Sequence, residues 1–477
     1  MSETTTNTAP GGPLKRPYLE VTLAVLALVT IVAFESMAVS TAMPTVARDL
    51  EAVRSYGFAF SVMLTAQLLG IVLAGVWTDR SGPLPGALVG QALLAAGAAT
   101  CGFATRLDVF LVGRALTGLG GGLLVVMLYV IAGRVYPENI RPRLFTYISA
   151  AWVLPSLVGP LVSAWLTEAL SWRWVFWVVV LPVVVTMAVL AHAQRRVDTS
   201  NLRVAASSRD HASHVRAAWA GLGIALAAGA LQYGTHELVL EWSPKTVVAA
   251  VGLLGIAAIA PVLLPRGTWT MAPGVPSVIL SRALLCAAFY AGITYVPLFL
   301  VGQRHASLQV AGLALASGAI GWAAGAWYQG HEHIHVPRHR LIELGGLLLS
   351  VGLLGLSAIA WLNIPGWLSA VALLLTGLAM GTGVTTTTIL GLELTPVAEH
   401  GQVSSALQLS DVLGSVVGIA GATAVFAAFH VPGEDNPLFG KIFLGLAVVS
   451  AVVVLAGQRI VGGDARQAPA GAQRIST

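Results

Sequence analysis

The sequence predicts an all-α membrane protein of fourteen transmembrane helices, arranged as two six-helix bundles plus two inserted helices. Three observations carry this. The 477 residues are 56% hydrophobic and only 10% charged, against roughly 25% charged in soluble domains. Apolar stretches of about 20 residues, each able to cross a ~30 Å hydrocarbon core, run from about Leu19 to Val461 with no gap that would hold a soluble catalytic domain. The first six stretches also share motifs with the last six. Backbone polar groups inside a bilayer must be satisfied within each segment, so helices are expected throughout.

The spans read 19–43, 56–78, 84–104, 107–133, 144–168, 172–193, 215–235, 246–264, 275–301, 308–329, 341–362, 367–392, 403–429 and 438–461. The first follows eighteen polar residues and has no small-residue cleavage site before Pro44, so it is a retained helix rather than a removed signal. A polar linker at 194–214 leads to the seventh and eighth spans. The expected organisation is a cytoplasmic segment 1–18, an N-terminal bundle 19–193, the linker 194–214, the inserted pair 215–264, a C-terminal bundle 265–461 and a cytoplasmic tail 462–477. In a fourteen-span arrangement Lys15, Arg16, Arg80, Arg134, Arg141, Arg143, Arg195, Arg196, Arg203, Arg209, Arg216, Arg266, Arg338, Arg340, Arg459, Arg466 and Arg474 fall on one side. Both termini are therefore expected in the cytoplasm. The net charge of +5 reflects these loops, and no basic face with base-stacking aromatics accompanies it, which argues against nucleic-acid binding. Cys101 and Cys286 lie inside apolar spans and define neither a disulfide framework nor a metal site.

Internal repetition sets the architecture. Leu116–Gly122 reads LTGLGGG and Leu375–Gly383 reads LTGLAMGTG; Trp152–Gly159 reads WVLPSLVG and Asp411–Gly418 reads DVLGSVVG. Both matches share an offset of 259 residues. A weaker echo at an offset of 250 links GVWTDR at Gly75 with GAWYQG at Gly325. Spans 1–6 thus correspond to spans 9–14, giving a 6 + 2 + 6 arrangement. Parallel halves about an axis normal to the membrane, with a path between them, suit a rocking transporter.

Four motifs on these helices resemble those of the major facilitator superfamily, specifically its fourteen-helix drug:proton antiporter group. Gly75-x-x-x-Asp79-Arg80-x-Gly82 resembles the cytoplasmic-loop motif, with Pro83, Leu84 and Pro85 in place of its usual basic residues. Arg114-x-x-Thr117-Gly118-x-Gly120 resembles the motif whose arginine is implicated in proton coupling. Pro155-x-x-x-Gly159-Pro160-x-x-Ser163-Ala164 is a degenerate antiporter motif, and Ser171-Trp172-Arg173-Trp174 follows it as in that group. Glu35, nine residues before Pro44, matches the first-span motif with Glu for the commoner Asp. The resemblance implies the major facilitator fold and proton-coupled export of lipophilic or cationic small molecules.

An ionised side chain at the bilayer centre costs at least ~3 kcal/mol on insertion scales, so the acids and arginines inside these spans require an explanation. Glu35 is pulled toward neutrality by dry surroundings and toward charge by any arginine beside it; a group so placed can exchange a proton. Arg114 needs a carboxylate or backbone carbonyls in the N-terminal half, and its repeat counterpart is Leu373. Asp411 takes the repeat position of Trp152, and an aromatic face with an acid suits a lipophilic cation. Glu35, Arg114 and Asp411 are the proton-coupling candidates, each set against a bracing role. Asp79 and Arg80, with Gly75 and Gly82, are read as a gate, and Gly118, Gly120, Gly121, Gly122, Gly159 and Pro160 as points of close helix approach. Arg282, Tyr290 and Tyr295 in the ninth span, with Trp152, are substrate-path candidates, although ordinary packing accounts for the first three as well. Glu393 reads as interfacial.

His331, His333, His335 and His339 make a basic loop rather than a metal site, since Pro337 interrupts any sustained helix. No G-x-x-x-x-G-K-[ST] loop suggests ATP hydrolysis, no nucleophile–base pair suggests an enzyme, and no cofactor is expected. The expected partners are a small-molecule substrate, protons and membrane lipids, with no nucleic acid and the chain a monomer. Arginine well above lysine, with abundant Ala, Gly and Val, points to a GC-rich bacterial genome, and the expected location is a bacterial cytoplasmic membrane. A dedicated transporter of one metabolite, lipid or nutrient remains open on the same scaffold. A transport-dead sensor is encouraged only by the degenerate Gly75–Pro85 loop.

Overall fold

The computed structural model describes residues 12–15, 18–136, 140–194, 211–236, 238, 243–329, 336–362, 364–396, 399–431 and 435–460. Fourteen long helices make up nearly all of them: α1 (Leu19–Asp49), α2 (Tyr56–Ser81), α3 (Pro83–Phe103), α4 (Leu107–Val135), α5 (Arg141–Ala169), α6 (Arg173–Gln194), α7 (His211–Thr235), α8 (Pro244–Leu263), α9 (Val275–Gln303), α10 (Leu308–Gln329), α11 (Arg338–Trp361), α12 (Ser369–Glu393), α13 (His400–Phe429) and α14 (Asn436–Ile460). Thirteen are long and apolar enough to cross a membrane; α7 opens on the polar stretch HASHVR. Every expected span falls on one helix. Contrary to the expected stop near Pro44, α1 continues through that proline to Asp49, as membrane helices allow when neighbouring groups take up the freed carbonyl.

Local chemistry sets the turns. Gly82 joins α2 to α3 at φ +76°, a conformation glycine adopts without a Cβ penalty, and Pro83 then occupies the first turn of α3, where its missing N–H costs nothing. Ser243 caps α8 by accepting from the Thr246 N–H.

In the first half, α4 packs between α2 and α3, α6 lies against α3, and α1 lies against α5 and α6; in the second, α12 packs between α10 and α11, α14 lies against α11, and α9 lies against α13 and α14. The inserted α7 and α8 pack on each other, and α7 also touches α2 and α13, one helix from each half. Thr65 of α2 donates to Gln232 Oε1 of α7 at 2.7 Å, and Phe58 stacks on His236 at 4.5 Å.

Glycine contacts reveal the register of the repeat. A Cβ on Gly118 would lie 2.1 Å from the Met63 carbonyl oxygen, and one on Gly377 would lie 1.9 Å from that of Gly318. Gly122 meets Gln67 and Ile71 as Gly381 meets Trp322 and Ala326, and Gly97 meets Gly113 and Thr117 as Gly352 meets Ala372 and Thr376. The offset is 259 residues in α4 and α12 and 255 in α2, α3, α10 and α11. This corrects the weak echo at 250: the structural partner of Gly325 is Gly70, which touches Leu119 and Leu123 as Gly325 touches Leu378 and Thr382. The links between α3 and α4 and between α11 and α12 differ in length, and the change of offset falls there.

With fourteen crossings, the N-terminal end of α1 and the C-terminal end of α14 share one side, called here the terminal side; the opposite is the far side. Arg48, Arg54, Arg106, Arg173, Lys245 and Arg304 lie at far-side helix ends, fewer than the basic residues that sequence order places on the terminal side.

Candidate functional site

Two acid–arginine pairs occupy the two halves, one sealed and one partly exposed. In the first, α4 seats on α2 through Gly118 and Gly122. Arg114 stands one turn before Gly118, and positions four apart share a helix face, so the same face carries the guanidinium over α2. Its Nε reaches the Ala59 carbonyl at 3.4 Å and Nη2 reaches Met63 Sδ at 2.7 Å, while Nη1 donates to Glu35 Oε1 on α1. Each side chain of this pair is 2% exposed. On the α2 face Gly118 does the seating and the arginine does the bonding, whereas Thr117 and Gly120 of the same motif meet α3.

In the second half α13 seats on α9, where a Cβ on Gly414 or Gly418 would lie 2.1 and 2.2 Å from the Ala283 and Ala287 carbonyl oxygens. Asp411 precedes Gly414 on this face and meets Arg282: Nε to Oδ1 at 2.5 Å, Nη2 to Oδ2 at 2.7 Å. Arg282 Nη1 also donates to Thr388 Oγ1 at 2.6 Å and to the Val384 carbonyl at 3.2 Å, and Cys286 Sγ donates to Asp411 Oδ1 at 3.3 Å. Here Arg282 is 10% and Asp411 30% exposed, so this pair is less enclosed than the first. Asp411, read from the sequence as a proton-coupling candidate set against a bracing role, thus has a bidentate partner. Arg282, read from the sequence as a path-lining or packing residue, is the base of the pair.

The other expected residues scatter. Trp152 shares a small apolar recess with Val29, Val32, Val125, Leu128, Tyr129 and Ile148 in the first half. Tyr290 packs edge-on against Phe289, which packs against Trp322. Tyr295 lines no open path: it is fully buried among Tyr56, Phe426 and Phe439. Gly159 lies against Phe34, Met37 and Ala38 of α1, and Ser163 nearby donates to the Ala38 carbonyl at 2.5 Å. A Cβ on Gly120 would press the Gly90 carbonyl of α3, whereas Gly75 and Gly121 have open space around them. Asp79 and Arg80 fall in the last turn of α2, and their side chains lie outside the described residues, as do His331, His333 and His335. Glu393 pairs with Arg338 at 3.0 Å across exposed terminal-side ends. Among the described residues no cluster of His, Cys, Asp and Glu could hold a metal ion.

Two features escaped the sequence reading. Asp49 Oδ2 accepts from Trp172 Nε1 at 2.9 Å and Arg173 Nη1 at 3.1 Å, while Arg173 Nη2 reaches the Ala104 carbonyl at 3.0 Å. This clasp is what the Trp172–Arg173 pair does; the signal was an acid just past Pro44. Second, Glu168 at the far end of α5 accepts from the Leu308 N–H of α10 at 3.1 Å and from Gln309 Nε2. Together with Tyr56 against Tyr295 at 5.7 Å between ring centres, it ties the halves at the far side.

The family model of the Major Facilitator Superfamily matches residues 25–419. The chain belongs to that superfamily. Its apolar helices of membrane-crossing length make it a multi-pass membrane protein. Among curated relatives, an uncharacterized MFS-type transporter of Mycobacterium tuberculosis is 31% identical over 185 residues, 38% of this chain and 26% of that one; the match thus spans about a quarter of that relative's length. A "Probable multidrug-efflux transporter" of the same organism is 26% identical over 337 residues, 68% of this chain and 69% of its own. Among solved structures, a peptide transporter in complex with alafosfalin superimposes with a TM-score of 0.69 at 16% identity, over 94% of this chain and 98% of that one. At that identity the likeness shows the fold alone.

Proposed function

We propose that this superfamily member is a proton-coupled exporter of lipophilic or cationic small molecules, working by alternating access in a bacterial cytoplasmic membrane with its terminal side in the cytoplasm. The observation that carries the reading is Glu35, dry and bonded to Arg114. Multidrug-efflux relatives support the substrate class, and the terminal-side excess of arginine supports the orientation.

The proton's effect follows from the geometry. With Glu35 ionised, Arg114 binds α4 to α1 as an ion pair; with Glu35 protonated, the guanidinium loses its countercharge and is left with neutral acceptors, among them the Ala59 carbonyl and Met63 Sδ on α2. Leaving a buried charge without its partner costs ~3–5 kcal/mol, comparable to the ~5.5 kcal/mol that moves a two-state equilibrium from 1:99 to 99:1. A proton arriving from the far side thus changes which arrangement of α1 and α4 is stable. Its entry through the membrane field contributes ~2.3 kcal/mol per 100 mV.

The test is efflux of a fluorescent lipophilic cation from liposomes holding the purified chain, with and without an imposed pH gradient, for wild type and Glu35→Gln. Gradient-driven efflux abolished by the substitution is the expected result. Gradient-driven efflux that survives it moves the proton elsewhere, with Asp411 the next candidate.

A second reading, a dedicated transporter of one metabolite, draws on Arg282. This guanidinium already cancels the Asp411 charge that a bare cation would seek. A narrow profile in a growth-inhibition panel would favour that reading.

A further inference from the structure

The apolar recess of the first half and the ion pair of the second occupy the same place in the repeat. In α4 and α12 the 259-residue offset pairs Val125 with Val384, Leu128 with Thr387 and Tyr129 with Thr388; in α5 and α13 it pairs Trp152 with Asp411. In α1 and α9 the offset is 253. It relates the helix-internal prolines Pro44 and Pro297, and it relates Phe34 to Ala287, which meet the equivalent glycines Gly159 and Gly418. That offset pairs Val29 with Arg282.

The first member of every pair lines the recess. The second members are Arg282 and the groups it bonds: the Val384 carbonyl, Thr387 Oγ1 at 3.4 Å, Thr388 Oγ1 and the Asp411 carboxylate. One arrangement of three helices thus carries aliphatic and aromatic side chains in one half, and a guanidinium, a carboxylate and hydroxyls in the other. Both versions are accessible, since Tyr129 is 46% exposed and Asp411 and Thr388 are exposed in part or in full. Parallel halves about an axis normal to the membrane place equivalent residues at one depth. With α1 meeting α9 across the interface, the apolar and the polar pocket stand opposite each other.

The polar pocket selects its occupant by charge. Arg282 and Asp411 already neutralise each other, so a charged ligand enters by replacing that bond. A cation takes Asp411 and leaves the guanidinium alone; an anion takes Arg282 and leaves the carboxylate alone. Either orphaned charge is costly in a partly enclosed site. A zwitterion orphans neither, because its ammonium pairs with Asp411 while its carboxylate or phosphate takes the fork of Arg282 and the Thr388 hydroxyl. The aromatic faces of Tyr129 and Trp152 then receive an apolar body.

We propose that the two pockets are the two ends of one binding site for an amphipathic zwitterion, its head between Arg282 and Asp411 and its apolar body against Tyr129 and Trp152. This names a substrate class for the transporter proposed above. It rests on passage of substrate between the halves, but not on proton coupling or on direction.

The experiment measures binding of radiolabelled dodecyl betaine, whose head joins an ammonium to a carboxylate, to the full chain in phosphatidylglycerol nanodiscs, with empty nanodiscs as background. Dodecyltrimethylammonium and dodecanoate carry one charge each on the same tail, and each should displace the label about tenfold or more weakly than unlabelled betaine. Arg282→Gln should turn the preference toward dodecyltrimethylammonium and Asp411→Asn toward dodecanoate, a change of order that a loosened fold does not produce. Trp152→Ala should weaken dodecyl betaine more than hexyl betaine. Equal displacement by all heads in wild type, or an order unchanged in both pair variants, would overturn the proposal; where a variant does not fold, the wild-type order decides. Adding phosphatidylethanolamine to the nanodiscs tells the sources of such a head apart: weaker betaine binding marks the lipid headgroup as the occupant, and unchanged binding marks a free amphiphile. Cation efflux from liposomes separates the two readings. Gradient-driven efflux beside equal displacement by all heads removes the site and keeps the exporter, whereas a betaine preference without cation efflux defeats the cationic substrate class and leaves the site standing.

Discussion

Arg114 and Arg282 are bound to their acids at opposite depths, Arg114 about 10 Å in from the far end of α4 and Arg282 about 10 Å in from the terminal end of α9 at ~1.5 Å per residue. The first pair is sealed and the second is partly exposed. A sealed pair responds to a proton mainly through helix packing, and an open one can respond to a ligand directly. The two sites are therefore expected to fail differently.

For the sealed pair the failure is structural. Arg114→Ala leaves the Glu35 carboxylate buried alone and should cost ~3–5 kcal/mol. Replacing both residues by leucine removes both desolvation costs and should cost less than the single change. Thermal unfolding of the detergent-purified variants checks this. A double variant as weak as the sum of the single ones would mean that the two side chains do not interact.

The glycines of α4 and α12 give a second expectation, since backbone on the facing helix cannot yield as a flexible side chain can. Gly118→Ala and Gly377→Ala would press the Met63 and Gly318 carbonyls, and overpacking of this kind costs ~1–3 kcal/mol. Gly121→Ala meets nothing within 4 Å and should be neutral. Equal melting temperatures for Gly118→Ala and Gly121→Ala would refute the assigned seating.

Much of this was legible in the sequence because it depends on composition along one helix. Hydrophobic length placed all fourteen helices, and an acid or arginine inside such a stretch is conspicuous whatever it faces, so Glu35, Arg114 and Asp411 stood out singly. What pairs with what depends on the rotation of one helix against another, and that is set by small residues. Asp411 meets Arg282 because Gly414 and Gly418 turn that face of α13 toward α9. The register of α2 against α10 was misplaced for the same reason: matching letters near Gly75 and Gly325 mark similar helix ends, whereas the contacts follow Gly70. Glu168 was overlooked because an acid at a helix end reads as solvated until its partner on α10 is known.

The open pair yields a prediction about ligands. Arg282→Gln removes the cation that occupies Asp411 and leaves a half-buried carboxylate free. The apparent affinity for a lipophilic cation should rise, by up to about tenfold for ~1.4 kcal/mol of recovered attraction. Asp411→Asn should lower it. Fluorescence titration with the cation reads both, and an unchanged affinity in Arg282→Gln would mean that substrate does not approach this pair.

Glu168 supplies the last expectation, at the far side. Its carboxylate accepts from the first N–H of α10, where the helix dipole favours negative charge, and from Gln309. Such a charge near a helix N-terminus contributes ~0.3–1 kcal/mol, and Glu168→Gln keeps the shape while removing the charge. Because the bond crosses the seam between α5 and α10, its loss should act on the conformational equilibrium more than on folding. A destabilisation of ~0.3–1 kcal/mol corresponds to roughly a two- to fivefold larger far-side-open population, since ~1.4 kcal/mol is tenfold. The increase should be read as faster modification of a cysteine placed in the seam, and the difference from wild type should shrink at high salt as the exposed charge is screened. Unchanged modification together with a lower melting temperature would make Glu168 a cap for α10 and no part of the gate.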